Sequence, residues 1–296
     1  MPSPTALITG GNTGIGKETA VGLARDGMQV VITSRDRQRG RAAVEEIRAR
    51  SGSDGVEVME LDLADFHSVR SFAGAYLASH DRLDVLVNNA GLIQTSRTET
   101  VDGNETTFQV NHLGPFLLTQ LLLDRVREST PSRIVVVSSG AHKQARRGLD
   151  FDDLQSERHS GPLGSSWWAA QPWGFGVYAK TKLANIYFTR ELARRLEGVD
   201  VTANALHPGF VASRFGRDGD TGRLGNIAMV LGRPFAISQE KGALTSIFLA
   251  SSPEVEGLTG GYWYKCKPAE PTAIARDDEA ARRLWAVSEE LVATSA

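Results

Sequence analysis

The chain has 296 residues, with 33 Lys and Arg against 35 Asp and Glu, giving a formal net charge of −2. A hydrophobic fraction of 41% with 23% charged residues is the balance of a folded globular chain and excludes global disorder, while the near-neutral charge excludes a broad nucleic-acid footprint. The single cysteine, Cys266, excludes an internal disulfide and a cysteine-based metal cage, as expected in a reducing compartment.

Met1-Pro2-Ser3-Pro4 carries neither a basic nor an apolar leader, and Thr5-Ala6-Leu7-Ile8 already reads as a first strand. The longest apolar runs, such as Ile134–Val137, fall far short of the roughly 20 residues of a membrane-spanning helix. The expectation is a cytoplasmic protein without a membrane anchor.

Strands are predicted at 6–9, 29–33, 56–61, 85–88, 134–138, 201–206 and 262–266. Helices are predicted near 16–26, 39–51, 68–80, 105–127, 177–196, 241–250 and 277–292. Strands alternating with helices imply βαβ units and a parallel sheet. Most of these strands are nearly continuous apolar runs, as expected when helices cover both sheet faces. The predicted fold is therefore α/β, a single Rossmann-type domain over 1–296 with a doubly wound parallel sheet of about seven strands. Two segments interrupt the rhythm: an aromatic one around 160–175, with Trp167, Trp168, Trp173 and Phe175, and a Gly/Arg-rich one around 215–234. Long excursions of this kind tend to be functional loops or lids.

The first strand runs into Thr9-Gly10-Gly11-Asn12-Thr13-Gly14-Ile15-Gly16. Glycines let the backbone approach a pyrophosphate, and the helix that follows offers it free N–H groups and a positive dipole end. At the end of the second strand, an NAD site wants an acidic residue for the ribose 2′-OH. This chain has Ser34-Arg35-Asp36-Arg37, in which Arg35 supplies a planar fork suited to a 2′-phosphate. The reading is NADP, with two alternatives open: Asp36 turned inward to the ribose, and Arg35 and Arg37 as solvated residues.

Further along, Asn88-Asn89-Ala90-Gly91 ends the fourth strand, Asn111 lies within a helix, and Ser138-Ser139 ends the fifth strand. Tyr178 and Lys182 are four apart on a helix and share a face. A phenol with a pKa near 10 is poorly matched to proton transfer at neutral pH, and a nearby ammonium is expected to lower it. His207-Pro208-Gly209 follows the sixth strand.

In this order, from Thr9 to Gly209, these motifs resemble the short-chain dehydrogenase/reductase family. Gln109–Gly114, Lys182–Asn185, Asn204–Gly209 and the tail from Tyr264 to Glu290 are similar to its retinol-dehydrogenase-like branch. The resemblance implies NADP(H) and hydride transfer to or from a small-molecule ketone, aldehyde or alcohol. It implies Tyr178 as general acid/base, Lys182 as the ammonium that tunes it and binds the nicotinamide ribose, Ser139 as donor to the substrate oxygen, and Asn111 as holder of a relay water. For the cofactor it implies Gly10, Asn12, Thr13, Gly14 and Ile15 at the pyrophosphate, with Ser34 and Arg35 at the adenine ribose. Asp62 and Leu63 would lie at the adenine, and Asn89, Ala90 and Gly91 at its ribose and beyond. Pro208, Gly209, Val211 and Ser213 would lie at the carboxamide and phosphates.

Two other classes stay open: a C=C reductase like protochlorophyllide reductase, and a non-catalytic NADP-binding scaffold. The aromatic segment is either a lid over a bulky apolar substrate or a cover over the Tyr178 helix, a face through which many family members dimerise, so a homodimer and a monomer both remain possible. Cys266 is expected as a buried strand residue and His112 as a helix-packing residue.

Overall fold

A computed structural model describes residues 3–158, 173–211 and 236–293. Seven strands pair in parallel: β1 (Thr5–Ile8), β2 (Gln29–Ser34), β3 (Val56–Glu60), β4 (Val85–Asn88), β5 (Ser132–Val137), β6 (Val201–Leu206) and β7 (Tyr262–Tyr264). A two-residue β8 (Lys267–Pro268) adds to the edge antiparallel, and the order is β3-β2-β1-β4-β5-β6-β7-β8. The helices are α1 (Gly14–Arg25), α2 (Arg37–Ser51), α3 (Phe66–Ser79), α4 (Thr106–Phe108), α5 (Gly114–Glu128), α6 (Trp173–Arg195), α7 (Gln239–Ser251) and α8 (Asp278–Ala293).

Side chains alternate across the central strands. On β5, Ile134 and Val136 join the core under α3, α5, α6 and α8, whereas Val135 and Val137 join the opposite core under α1, α2 and α7. Burial on both faces is why these strands read as unbroken apolar runs. The strand order reverses between the paired strands β1 and β4, so the crevice where α/β folds bind ligands lies at their carboxyl ends.

Two local predictions are corrected. The last strand stops at Tyr264, because Lys265 and Cys266 take φ values of 50° and 58° and turn the chain into β8. Cys266 is thus a half-buried turn residue instead of a buried strand residue; the seven parallel strands stand as expected, and among the described residues β8 adds an eighth. The helix predicted over 105–127 carries a π-helical turn at Gln109–Leu113, where the Gly114 amide donates to the Gln109 carbonyl. Pro115 has no N–H to return to the preceding turn, which favours this widening. His112 is buried as expected, with Nε2 2.8 Å from Ser288 Oγ of α8. Among the described residues no helix is long and apolar enough to cross a membrane.

Candidate active site

The site begins where β1 ends. Gly10 and Gly14 adopt φ of +65° and +60°, a region open to glycine at little cost. Gly16 packs so closely that a Cβ there would stand 2.6 Å from the Gly10 carbonyl oxygen and 2.5 Å from Asn89 Nδ2. Thr13 caps α1 without a side-chain hydrogen bond, the first turn holds no acidic residue, and the space beside Gly14 is open. Free amides at a positive dipole end, with room in front of them, fit a pyrophosphate.

At the end of β2 the Ser34 hydroxyl is buried and turned back on its own loop, donating to the Asp36 carbonyl at 2.8 Å. Asp36 caps α2, accepting from the Arg39 amide at 2.9 Å. Arg39 also pairs with Asp36 at 3.6 Å, and Arg37 pairs with Glu60. Arg35 is exposed and has no carboxylate partner among the described residues. Asp62 ends its own turn by accepting from the Ala64 amide, and Leu63 is buried beside the first residue of α5.

The β4 end is fastened to this cradle. Asn88 donates to Thr119 of α5 at 2.9 Å, so it ties strand to helix. Asn89 instead reaches the carbonyl of Thr9. Beyond it, Gly91 leaves just enough room for the next layer, since a Cβ there would stand 3.1 Å from Asn111 Oδ1 and 3.4 Å from Lys182 Nζ. The Asn111 carboxamide accepts from the Leu92 amide at 2.7 Å and donates to the Leu92 carbonyl at 2.9 Å and Thr181 Oγ1 at 3.0 Å. With the Asn185 carboxamide oriented to donate, its nitrogen lies 2.9 Å from the Asn111 carbonyl.

Two adjacent serines at the β5 end do different things. Ser138 is buried and donates to the Lys182 carbonyl at 2.7 Å, holding α6 against the strand. Ser139 caps the short 3₁₀ turn Gly140–Gln144, its Oγ accepting from the Ala141 amide at 3.1 Å. Ser139 also hydrogen-bonds the half-buried Tyr178. Lys182 Nζ sits 5.5 Å from the centre of the Tyr178 ring and donates to the Val137 carbonyl at 2.9 Å.

The expected drop in the Tyr178 pKa is not what these surroundings produce. Burial pushes the phenol up to about 12, with the Ser139 hydrogen bond opposing it. Burial likewise brings Lys182 down to about 8. The ammonium donates to a backbone carbonyl and lies against the ring, so desolvation outweighs it.

Thus Asn111, Ser139, Tyr178 and Lys182 converge beside Gly91, at the carboxyl ends of β4 and β5. Gly10, Asn12, Thr13, Gly14 and Ile15 lie at the β1–α1 turn, next to Asn89 and Ala90. Pro208 and Gly209 follow β6, Gly209 with φ +92°, and Val211 bridges in parallel to Ile237. Ser213, Trp167, Trp168 and the 215–234 segment lie outside the described residues, as does the Trp173 side chain. Sequence reasoning missed Thr9 and Gly16 as clamps of the cradle, and Thr181 as partner of Asn111. A threonine directly before the glycine turn was the available signal for the first.

The short chain dehydrogenase family model matches residues 4–149. Retinol dehydrogenase 14 of Mus musculus is 44% identical over 303 residues, covering 99% of this chain and 86% of that protein. Among solved structures, an uncharacterised protein from Mycobacterium paratuberculosis superposes with a TM-score of 0.74 at 34% identity, covering 99% of this chain and 96% of the other. The Pseudomonas aeruginosa RhlG/NADP active-site complex superposes with a TM-score of 0.65 at 26% identity, covering 88% and 94%. Identity of this extent, over an eight-stranded sheet of this topology, establishes the chain as a short-chain dehydrogenase of the retinol-dehydrogenase-like branch, an oxidoreductase.

Proposed function

We propose that this oxidoreductase transfers a hydride between NADP(H) and a hydrophobic or aromatic ketone or aldehyde, or the corresponding alcohol. The observation that carries the reading is the hydrogen bond between Ser139 and Tyr178, with Lys182 one helical turn further on. When bound, NADP(H) supplies or accepts the hydride; that chemistry belongs to the cofactor.

The chain's own residues handle the proton and the developing charge. Ser139 Oγ accepts from the Ala141 amide, and the hydrogen it shares with Tyr178 here would turn to a substrate oxygen seated beside both hydroxyls and stabilise negative charge there. In reduction, Tyr178 Oη gives its proton to that oxygen. A phenol held near 12 is protonated across the physiological range, so Tyr178 enters reduction carrying the proton it gives up. In oxidation the same oxygen takes the alcohol proton, and a charged Lys182 lowers the cost of the phenolate. Asn111, fixed by Leu92 and Thr181, would hold a water linking Lys182 to solvent.

The NADP preference is supported at the end of β2. Asp36 is engaged as the cap of α2, while exposed Arg35 has no carboxylate partner among the described residues. A 2′-phosphate suits such a fork. Gly10 to Ile15 would hold the pyrophosphate, Asp62 and Leu63 the adenine, Asn89 to Gly91 the ribose side, and Pro208, Gly209, Val211 and Ser213 the nicotinamide side.

An apolar substrate is supported by Phe175, whose ring is 6.4 Å from that of Tyr178, and by the exposed Phe210 just after Gly209. The test is Tyr178→Phe, assayed by NADPH oxidation with a panel of aliphatic, aromatic and polycyclic ketones. Turnover should fall by about 10²–10⁴ while NADPH binding persists; unchanged turnover would remove Tyr178 from the chemistry.

A further inference from the structure

We propose that His142 is a positioning residue for Ser139, a neutral Nδ1–H donor that locks the Ser139 carbonyl and thereby aims the serine hydroxyl. The inference rests on the reading of Ser139 as donor to the substrate oxygen.

His142 is 1% exposed and lies three residues beyond Ser139, on the 3₁₀ turn that Ser139 caps. Its Nδ1 is 2.7 Å from the Ser139 carbonyl oxygen. Its Nε2 is 3.4 Å from the Thr272 amide nitrogen. A backbone amide can only donate and a carbonyl can only accept, so the proton belongs on Nδ1 and the lone pair on Nε2. Burial, with Lys143 nearby, also disfavours the charged ring. Tyr262 holds the ring edge-on at 5.2 Å, and its hydroxyl lies 3.4 Å from Nδ1.

The consequence falls on the serine. Its carbonyl takes a second donor, the His142 amide, at 3.1 Å. Its hydroxyl takes the Ala141 amide at 3.1 Å. Carbonyl and hydroxyl of Ser139 are therefore both set by one turn, and the imidazole is the only side chain among the described residues that pins the carbonyl. Through Nε2 the same ring joins that turn to the loop before α8. Without Nδ1–H, the turn can rock and the hydroxyl loses its aim, and an error of about 1 Å at a reacting centre can cost about 10²-fold in rate.

The test is steady-state NADPH oxidation with the best-accepted ketone of the panel, alongside NADPH affinity and the unfolding midpoint. His142→Leu fills the space without a donor and should lower kcat at least about tenfold, with NADPH affinity within about twofold. His142→Asn, whose Nδ2 can stand where Nδ1 does, should recover to within about threefold of the parent. In a Ser139→Ala background, His142→Leu should cost no further kcat. An equal loss in both backgrounds, or full activity of His142→Leu, overturns the proposal. If the leucine variant does not fold, a tenfold loss in a folded His142→Asn protein overturns it instead. Unchanged kcat in Ser139→Ala alone brings down the serine reading on which the proposal stands.

Discussion

Thr9 Oγ1 accepts the backbone amides of both Asn89 and Ala90, at 2.9 and 3.0 Å, while Asn89 Nδ2 donates to the Thr9 carbonyl at 2.8 Å. The loops that leave the paired strands β1 and β4 are thereby one unit where the strand order reverses. Thr9 is fully buried, so water cannot replace its oxygen. Thr9→Val keeps the shape and removes the acceptor for two amides. The Asn89 amide also donates to the Val87 carbonyl at 3.0 Å, so the Ala90 amide is the one left without an acceptor; at about 1–3 kcal/mol for an unpaired donor, we expect a loss of about 1–3 kcal/mol in chemical denaturation and weaker NADPH binding by titration. A variant as stable as the parent would mean the two loops do not depend on this oxygen.

Lys182 illustrates a site kept at the expense of stability. Its pKa near 8 in the folded chain lies below the unfolded value of about 10.4. The unfolded chain therefore holds the proton more tightly, and folding bears the full cost of the buried charge below pH 8. That cost falls away as pH rises from about 8 to about 10.4. Lys182→Met should abolish turnover yet raise the unfolding midpoint at pH 7 by a few degrees, the loss of the bond to the Val137 carbonyl offsetting part of the gain. The advantage should shrink toward pH 10. In the parent enzyme, kcat/KM for ketone reduction should fall above about pH 8 as Lys182 loses its charge, with no limb from Tyr178 in that range. A destabilised methionine variant at pH 7 would contradict the account.

The sheet was legible because the central strands β1, β4 and β5 are buried on both faces and read as nearly continuous apolar runs, whereas the edge strand β3, with Glu57 and Glu60 outward, shows itself by alternation. The hairpin at Lys265 and Cys266 was not, since neither residue advertises positive φ as glycine or asparagine does. The π-turn around Asn111 was hidden for a related reason. Its only local sign is Pro115, which in sequence equally suits the first turn of a new helix. Asn111, Ser139, Tyr178 and Lys182 could be named because two of them share a helix face and all follow a motif order. Their electrostatics could not be read that way. Whether Lys182 lowers the Tyr178 pKa depends on burial and on where the ammonium points, and both are set by β5, an element remote in sequence.

Arg35 and Asp36 are adjacent but should separate cleanly by mutation. Arg35→Ala removes the exposed guanidinium proposed to hold the 2′-phosphate, and losing charge-assisted hydrogen bonds of about 1.5–3 kcal/mol corresponds to about 10–100-fold in affinity. We expect the KM for NADPH to rise by that factor while the KM for NADH barely moves. Asp36→Ala removes the α2 cap, worth about 1 kcal/mol, and should lower stability without changing the preference between the two cofactors. If Arg35→Ala weakens both cofactors alike, the 2′-phosphate is held elsewhere.

The last helix is structurally tied to the catalytic one. Trp285 of α8 packs edge-on against Phe116 of α5 at 5.0 Å and stacks on Phe188 of α6 at 5.9 Å, ten residues along the helix from Tyr178. Arg195, at the end of α6, lies over the indole at 4.2 Å, and the indole N–H donates to Glu289 at 2.8 Å. His112 on the π-turn reaches Ser288 on the same helix. α8 therefore braces both elements that carry Asn111 and Tyr178. Trp285→Ala opens a large cavity and should cost about 3–5 kcal/mol. Because the indole contacts α6 well away from its catalytic turn, kcat at low temperature should be retained in the fraction that stays folded, with loss of activity on heating following loss of helix by circular dichroism. Activity lost well before helicity would instead mean that α8 sets the geometry of the catalytic turn directly.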